Sequence, residues 1–117
     1  MKRDYSLFVK DIIRAMELIE EFVADISLEK FKADDKTSSA VIRKFEIIGE
    51  AVKQIPQKIK DEYKDIRWKS MAGMRDRLIH AYFGIDFDLV WAAIKNEIPT
   101  LKPKLKKIIS DMALEEK

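Results

Sequence analysis

Apolar residues recur three and four positions apart along most of the chain, which is the helical period, and no stretch alternates as a strand would. Leu7, Phe8, Ile12, Ala15, Leu18, Ile19, Phe22 and Val23 predict one amphipathic helix from about Tyr5 to Ala24, with Asp4 as its N-cap. A polar joint follows at Lys32-Ala33-Asp34-Asp35-Lys36-Thr37-Ser38-Ser39. A second helix is expected to start near Thr37 or Ser38 and to turn Val41, Ile42, Phe45, Ile48, Val52 and Ile55 inward. Gly49 sits inside it at a cost of roughly 1 kcal/mol against Ala, a cost that points to the close approach of another helix. Pro56 ends this helix or begins a new turn, and a short polar segment runs from Asp61 to Trp68. A third helix is expected from about Trp68 to Tyr82, stopped by Gly84. Asp86 and Asp88 offer N-caps for a fourth, which carries Leu89, Val90, Trp91, Ala93, Ile94 and Ile98. Pro99 and Pro103 are expected to kink or restart it before it continues through Leu101, Leu105, Ile108, Ile109 and Met112, and the tail from Leu114 to Lys117 to fray. The pattern predicts an all-α fold, a four- or five-helix up-and-down bundle, as one domain over residues 1–117.

Composition narrows what such a bundle can do. The 117 residues are 47% hydrophobic, enough for a core, and 38% charged, with 23 Lys and Arg against 21 Asp and Glu. A net charge of +2 excludes a polycation that coats nucleic acid with its whole surface. Three Gly and three Pro are too few for a turn-rich sandwich or barrel. With no Cys, disulfide frameworks, thiolate zinc sites and thiol nucleophiles are excluded. A single His, His80, excludes a His-cluster metal site within one chain. No cofactor is expected. The N-terminus lacks the apolar core of a signal peptide and no apolar run approaches the ~20 residues that span a bilayer, so a soluble, cytoplasmic protein without membrane association is expected.

One segment concentrates reactive side chains: Arg75-Asp76-Arg77-Leu78-Ile79-His80-Ala81-Tyr82. On a regular helix Asp76 and His80 share a face, so that Asp76 would orient or charge-stabilise the imidazole. Arg75 and His80, five apart, would diverge by about 140° on that helix, although a long Arg could still reach a phosphate lying over the His. Residue types and spacing alone suit a solvated helix face better, with a His that favours the C-terminal end of the helix dipole.

The flanks separate these readings. The segment has Arg, four residues, His, one residue and Tyr, and it resembles the signature of HepT-like toxins of the HEPN superfamily. Ile47-Ile48-Gly49-Glu50-Ala51, Ile66-Arg67-Trp68 with Met71-Ala72-Gly73-Met74-Arg75, and Tyr82-Phe83-Gly84-Ile85-Asp86 leading to Val90-Trp91 resemble the family's flanking segments, over about residues 5 to 110. The resemblance implies a metal-independent endoribonuclease, the toxin of a type VII toxin–antitoxin pair, with RNA such as tRNA or mRNA as substrate. It also implies a homodimer and an MntA-like nucleotidyltransferase antitoxin that in some pairs adds AMP to the motif tyrosine, here Tyr82.

These residue types suit that chemistry. RNA is cut without metal when its own 2′-OH attacks the adjacent phosphate. Histidine is the side chain suited to proton transfer near neutral pH, and His80 can serve in that role. Arg75 presents a permanent, planar charge to phosphate oxygens. Arg77 could anchor backbone phosphates, and Tyr82 could stack on a base or bond a phosphate. One His per chain falls short of separate acid and base, and a homodimer with the motif near its two-fold would supply the second. AMP on Tyr82 would fill the site and neutralise its positive field.

Other features read more plainly. Lys102, Lys104, Lys106 and Lys107 could track an RNA backbone, though a solvated face fits them better. Trp68, Trp91 and Phe87 could stack bases but stand at core positions. Glu46 and Glu50, one helical turn apart, suit surface charge or pairing with arginine better than a metal, and Glu50 is the one expected to pair with a motif Arg. The rival function is a non-catalytic helical partner that a nucleotidyltransferase holds and modifies. A catalytically inert helical dimer is the third.

Overall fold

The structure, a computed structural model, describes residues 5–80 and 84–115, and at His80 the main chain alone. The order is α1 (Tyr5–Phe22), α2 (Leu28–Ala33), α3 (Asp35–Gln54), α4 (Gln57–Glu62), α5 (Trp68–Ala72) and α6 (Met74–Leu78). Two short strands, β1 (Ile79–His80) and β2 (Gly84–Ile85), precede α7 (Phe87–Ala92), a π-helical stretch (Ala93–Glu97) and α8 (Ile98–Glu115). The fold is the all-α bundle that the period predicts. Its centre is α1 against α3, with α8 across α1 and α5–α6 across α3. Ile12, Met16 and Ile19 of α1, Phe45, Ile48 and Val52 of α3, and Leu105 and Ile108 of α8 are fully buried. Among the described residues no helix is long and apolar enough to cross a membrane.

The first departure lies in the polar joint. Ser27 caps a six-residue α2 by accepting from the Lys30 N–H at 3.1 Å. Phe31 is then buried completely, beside Phe87 and Trp91. With Phe31 its one buried residue, a six-residue segment is too short for its periodicity to register as a helix. The second helix also starts earlier than Thr37: Asp34 ends α2 and caps α3, its carboxylate accepting from the Thr37 N–H at 3.1 Å and the Thr37 hydroxyl at 2.7 Å. These bonds hold the Asp34 carboxyl below its ordinary range. The Asp4 cap lies outside the described residues, and α1 ends at Phe22, two residues before Ala24.

Pro56 opens a new turn, as the N-cap of α4. Beyond it Trp68 is anchored, its indole N–H donating to the Tyr63 carbonyl at 3.0 Å. The Tyr63 hydroxyl donates to Asp111 of α8 at 2.7 Å, and burial with that carboxylate pushes the phenol well above its ordinary range.

Gly49 has the neighbour its position implied. A Cβ there would lie 3.1 Å from the Ala72 carbonyl oxygen of α5. Met71 and Met74, at 0% and 1% exposure, fix that backbone in the core. The clash therefore outweighs the helix-propensity gain that Ala brings. Gly49→Ala is expected to destabilise the fold by about 1 kcal/mol and Gly49→Val by roughly 2–3 kcal/mol. Urea unfolding checks this; a Gly49→Ala protein more stable than wild type would show that α5 yields.

The backbone stays helical through Pro99 and Pro103. They lie within α8, which follows α7 and the π-helical stretch directly. The π-helical stretch ends two residues before Pro99, where the extra residue gives slack to a ring that would crowd the preceding turn. The Thr100 hydroxyl donates to the Asn96 carbonyl at 3.0 Å, giving that oxygen a partner beside the proline. Leu114 and Glu115 continue α8 rather than fray, and residues 116–117 lie outside the described range.

Candidate nuclease site

The motif segment does not form one helix from Trp68 to Tyr82. Gly73 separates α5 from α6, and α6 stops at Leu78. Ile79 is extended, at φ −123° and ψ 123°, and pairs antiparallel with Ile85, while His80 pairs with Gly84. The Asp86 N–H donates to the Leu78 carbonyl at 2.8 Å, satisfying an acceptor that the broken helix would leave open. Gly84 is therefore not a helix stop but the turn-side residue of β2, at φ +77°, a conformation that favours glycine. Asp86 caps α7 by accepting from the Leu89 N–H at 3.2 Å. Two β-branched residues facing each other outweigh a two-residue extension of α6, and no alternating pattern announces so short a pairing.

This geometry changes the motif's internal relations. With α6 ending at Leu78, Asp76 and His80 are not one turn apart on a common helix, and the 140° divergence of Arg75 and His80 no longer applies. Asp76 is strongly exposed and lies 3.5 Å from Arg75 Nη1. Met74 and Leu78 are buried at 1% each, so Arg75, Asp76 and Arg77 are turned outward between them. The side chain of His80 and all of Tyr82 lie outside the described residues.

The two arginines part company, as neighbours two positions apart on a helix must. Arg75 turns to α3, its Nε donating to Glu46 Oε2 at 2.8 Å. Arg77 turns to the π-helical stretch, its Nη2 donating to Glu97 Oε1 at 3.3 Å. The positive charge of Arg75 and Arg77 is thus divided between two sides of α6. The partner of Arg75 is Glu46 and not Glu50, one turn further along α3. Glu46 also lies 3.6 Å from Arg43 Nη1 on its own helix. The hydrogen bond from Arg75 holds the Glu46 carboxyl below its ordinary range, and Glu46 in turn raises Arg75. The second cation, Arg43, stands three residues before Glu46 in the sequence, but only the fold shows that α3 faces the motif.

The other candidates resolve simply. Each C-terminal lysine has an internal partner: Lys102 Nζ bonds Glu20, Lys106 lies 3.5 Å from Glu17, Lys104 donates to the Asp65 carbonyl at 3.1 Å, and Lys107 lies 2.9 Å from Asp111. Lys102, Lys104 and Lys106 tie α8 to other parts of the chain, and Lys107 pairs within α8. Trp68 is buried, and Phe87 and Trp91 pack on Phe31 with ring centroids 5.9 Å and 5.3 Å away. Among the described residues no three His, Cys, Asp or Glu side chains group as metal ligands. An open groove of about 410 Å³ between α1 and α8, floored by Ile13 and Ile109, contains none of the motif residues.

Comparison with known proteins agrees with the motif. The family model described as ribonuclease HepT-like matches residues 12–108. A Thermococcus cleftensis protein named "Probable ribonuclease HepT" is 51% identical over 108 residues, covering 92% of this chain and 98% of that protein. A Methanocaldococcus jannaschii protein named "Putative RNase MJ0125" is 48% identical over 116 residues, covering 99% of this chain and 98% of its own. No solved structure matches the chain. A family match over most of the chain and relatives about half identical to it in sequence lead to one conclusion: this protein belongs to the HepT-like ribonuclease family.

Proposed function

We propose that the protein is a metal-independent endoribonuclease and the toxin of a type VII toxin–antitoxin pair, cutting RNA with Arg75 and His80. The observation that carries this reading is the complete Arg75–His80–Tyr82 spacing in the sequence, with Arg75 turned outward on α6, in a chain of this family. In the step itself, the 2′-oxygen loses its proton to a base and attacks the adjacent phosphorus. The bond to the 5′-oxygen breaks, and that oxygen takes a proton from an acid. A 2′,3′-cyclic phosphate and a 5′-hydroxyl remain. His80 serves the proton transfers, and Arg75 stabilises the crowded anionic phosphorane. Asp76, 3.5 Å from Arg75, supports the arginine rather than the imidazole. Arg77 holds backbone phosphate on the other side of α6, where it competes with Glu97.

A homodimer with two copies of His80 near its two-fold supplies both acid and base. AMP added to Tyr82 by an MntA-like nucleotidyltransferase antitoxin places a phosphate two residues from His80 and silences the site. The test is incubation of the purified protein with tRNA and with total RNA in EDTA. Cleavage that leaves cyclic-phosphate ends is expected. Intact RNA together with tight binding of the nucleotidyltransferase would favour the non-catalytic partner instead.

A further inference from the structure

We infer that Glu46 of α3 is a positioning residue for the reaction: it pins the Nε edge of Arg75 so that the remaining guanidinium N–H groups are aimed before RNA arrives. The inference rests on the nuclease reading of Arg75 and adds to it a residue outside the motif.

Three observations carry it. The Arg75 Nε–Glu46 Oε2 bond is 2.8 Å, short and charge-assisted, and it bridges residues 29 apart in sequence. Glu46 is the more sheltered partner, with 27% of its side chain exposed against 50% for Arg75, so the carboxylate is the fixed point. Its helix is also fixed, because Phe45 and Ile48 on either side of it are fully buried. A guanidinium is planar, so one bond through Nε sets the plane in which its other donors lie. An arginine at the end of a five-residue helix would otherwise have to be ordered by the substrate, a cost that preorganisation removes.

A carboxylate beside a catalytic cation also weakens its field. Arg43 offsets this: it lies 3.6 Å from Glu46, so the carboxylate is shared between two cations and does not fall on Arg75 alone. The carboxyl is held below its ordinary range, chiefly by the bond from Arg75, and the pair therefore survives at the pH where a histidine titrates.

The experiment compares wild type with Glu46→Gln, an isosteric change that removes the charge. Cleavage of one labelled RNA in EDTA is expected to lose about tenfold in kcat with KM within about twofold, since Glu46 itself touches no substrate. The melting temperature should move by no more than a few degrees, which separates positioning from folding. A readout independent of turnover is the Arg75 Nε–H resonance. In wild type it should be resolved and slow to exchange, and in Glu46→Gln it should merge with the mobile arginines. A Glu46→Gln protein with wild-type kcat, or an unchanged Arg75 resonance, overturns the inference and leaves the nuclease reading intact. Wild-type protein that cleaves no RNA overturns the nuclease reading, and this inference with it.

Discussion

Arg75→Ala and His80→Ala are each expected to lower RNA cleavage by about 10²–10³-fold while the folded state persists. The two losses have different origins. In the proposed reaction Arg75 would supply a permanent charge where the phosphorane becomes most anionic, and Ala would leave nothing in its place. His80 would supply the proton transfers of the same step, and no other His stands in the chain to replace it. Neither change should cost the fold much. Arg75 gives up a half-exposed, solvent-screened ion pair, which contributes little to stability. The main chain at His80 keeps its pairing with Gly84 whatever side chain it carries. Thermal unfolding beside the cleavage assay in EDTA separates activity from stability. Arg77→Ala serves as the graded comparison, because its guanidinium turns to the other side of α6. Its effect should be confined to KM, growing as salt is lowered. Full cleavage by Arg75→Ala would remove the phosphorane role, and unfolding of His80→Ala would reassign that residue to structure.

The sequence carried the helices wherever burial is periodic. Val41, Phe45, Ile48 and Val52 fall on one face of α3, and Ile12, Met16 and Ile19 on one face of α1, so both helices were legible from spacing. The motif was legible as well, because its spacing belongs to the chain and needs no fold to be seen. The break inside the motif was not. Ending α6 at Leu78 depends on Ile79 meeting Ile85 and on the Asp86 N–H reaching the Leu78 carbonyl, contacts that a single helix lacks. For the same reason the charge pairing was assigned one turn off. Glu46 and Glu50 share a face of α3, and which of them meets Arg75 depends on how α5 slides along α3. Gly49, with the Ala72 carbonyl against it, sets that register, yet from the sequence it announces only that something comes close.

Phe31→Ala is expected to cost about 3–5 kcal/mol, read as a lower urea midpoint, and to weaken cleavage although Phe31 touches no motif residue. Phe31 is the buried residue of α2, a helix too short to stand unless docked. Its ring meets Phe87 edge-on at 5.9 Å and Trp91 at 5.3 Å, which couples α2 to α7. The exposed Lys32–Asp88 pair at 3.3 Å cannot replace that contact. Truncation to Ala leaves a cavity whose walls belong to different helices. Its consequence for cleavage runs through Asp86, which caps α7 with its carboxylate and holds the end of α6 with its N–H. When α7 loses its seat on α2, the clasp on Leu78 loosens, and the spacing of Arg75 from His80 is no longer fixed. Phe31→Leu keeps most of the volume and should cost no more than about 1.5 kcal/mol, with cleavage close to wild type. A Phe31→Ala protein within 1 kcal/mol of wild type would mean that α2 is a passenger, and that α6 is held by its own core residues, Met74 and Leu78, alone.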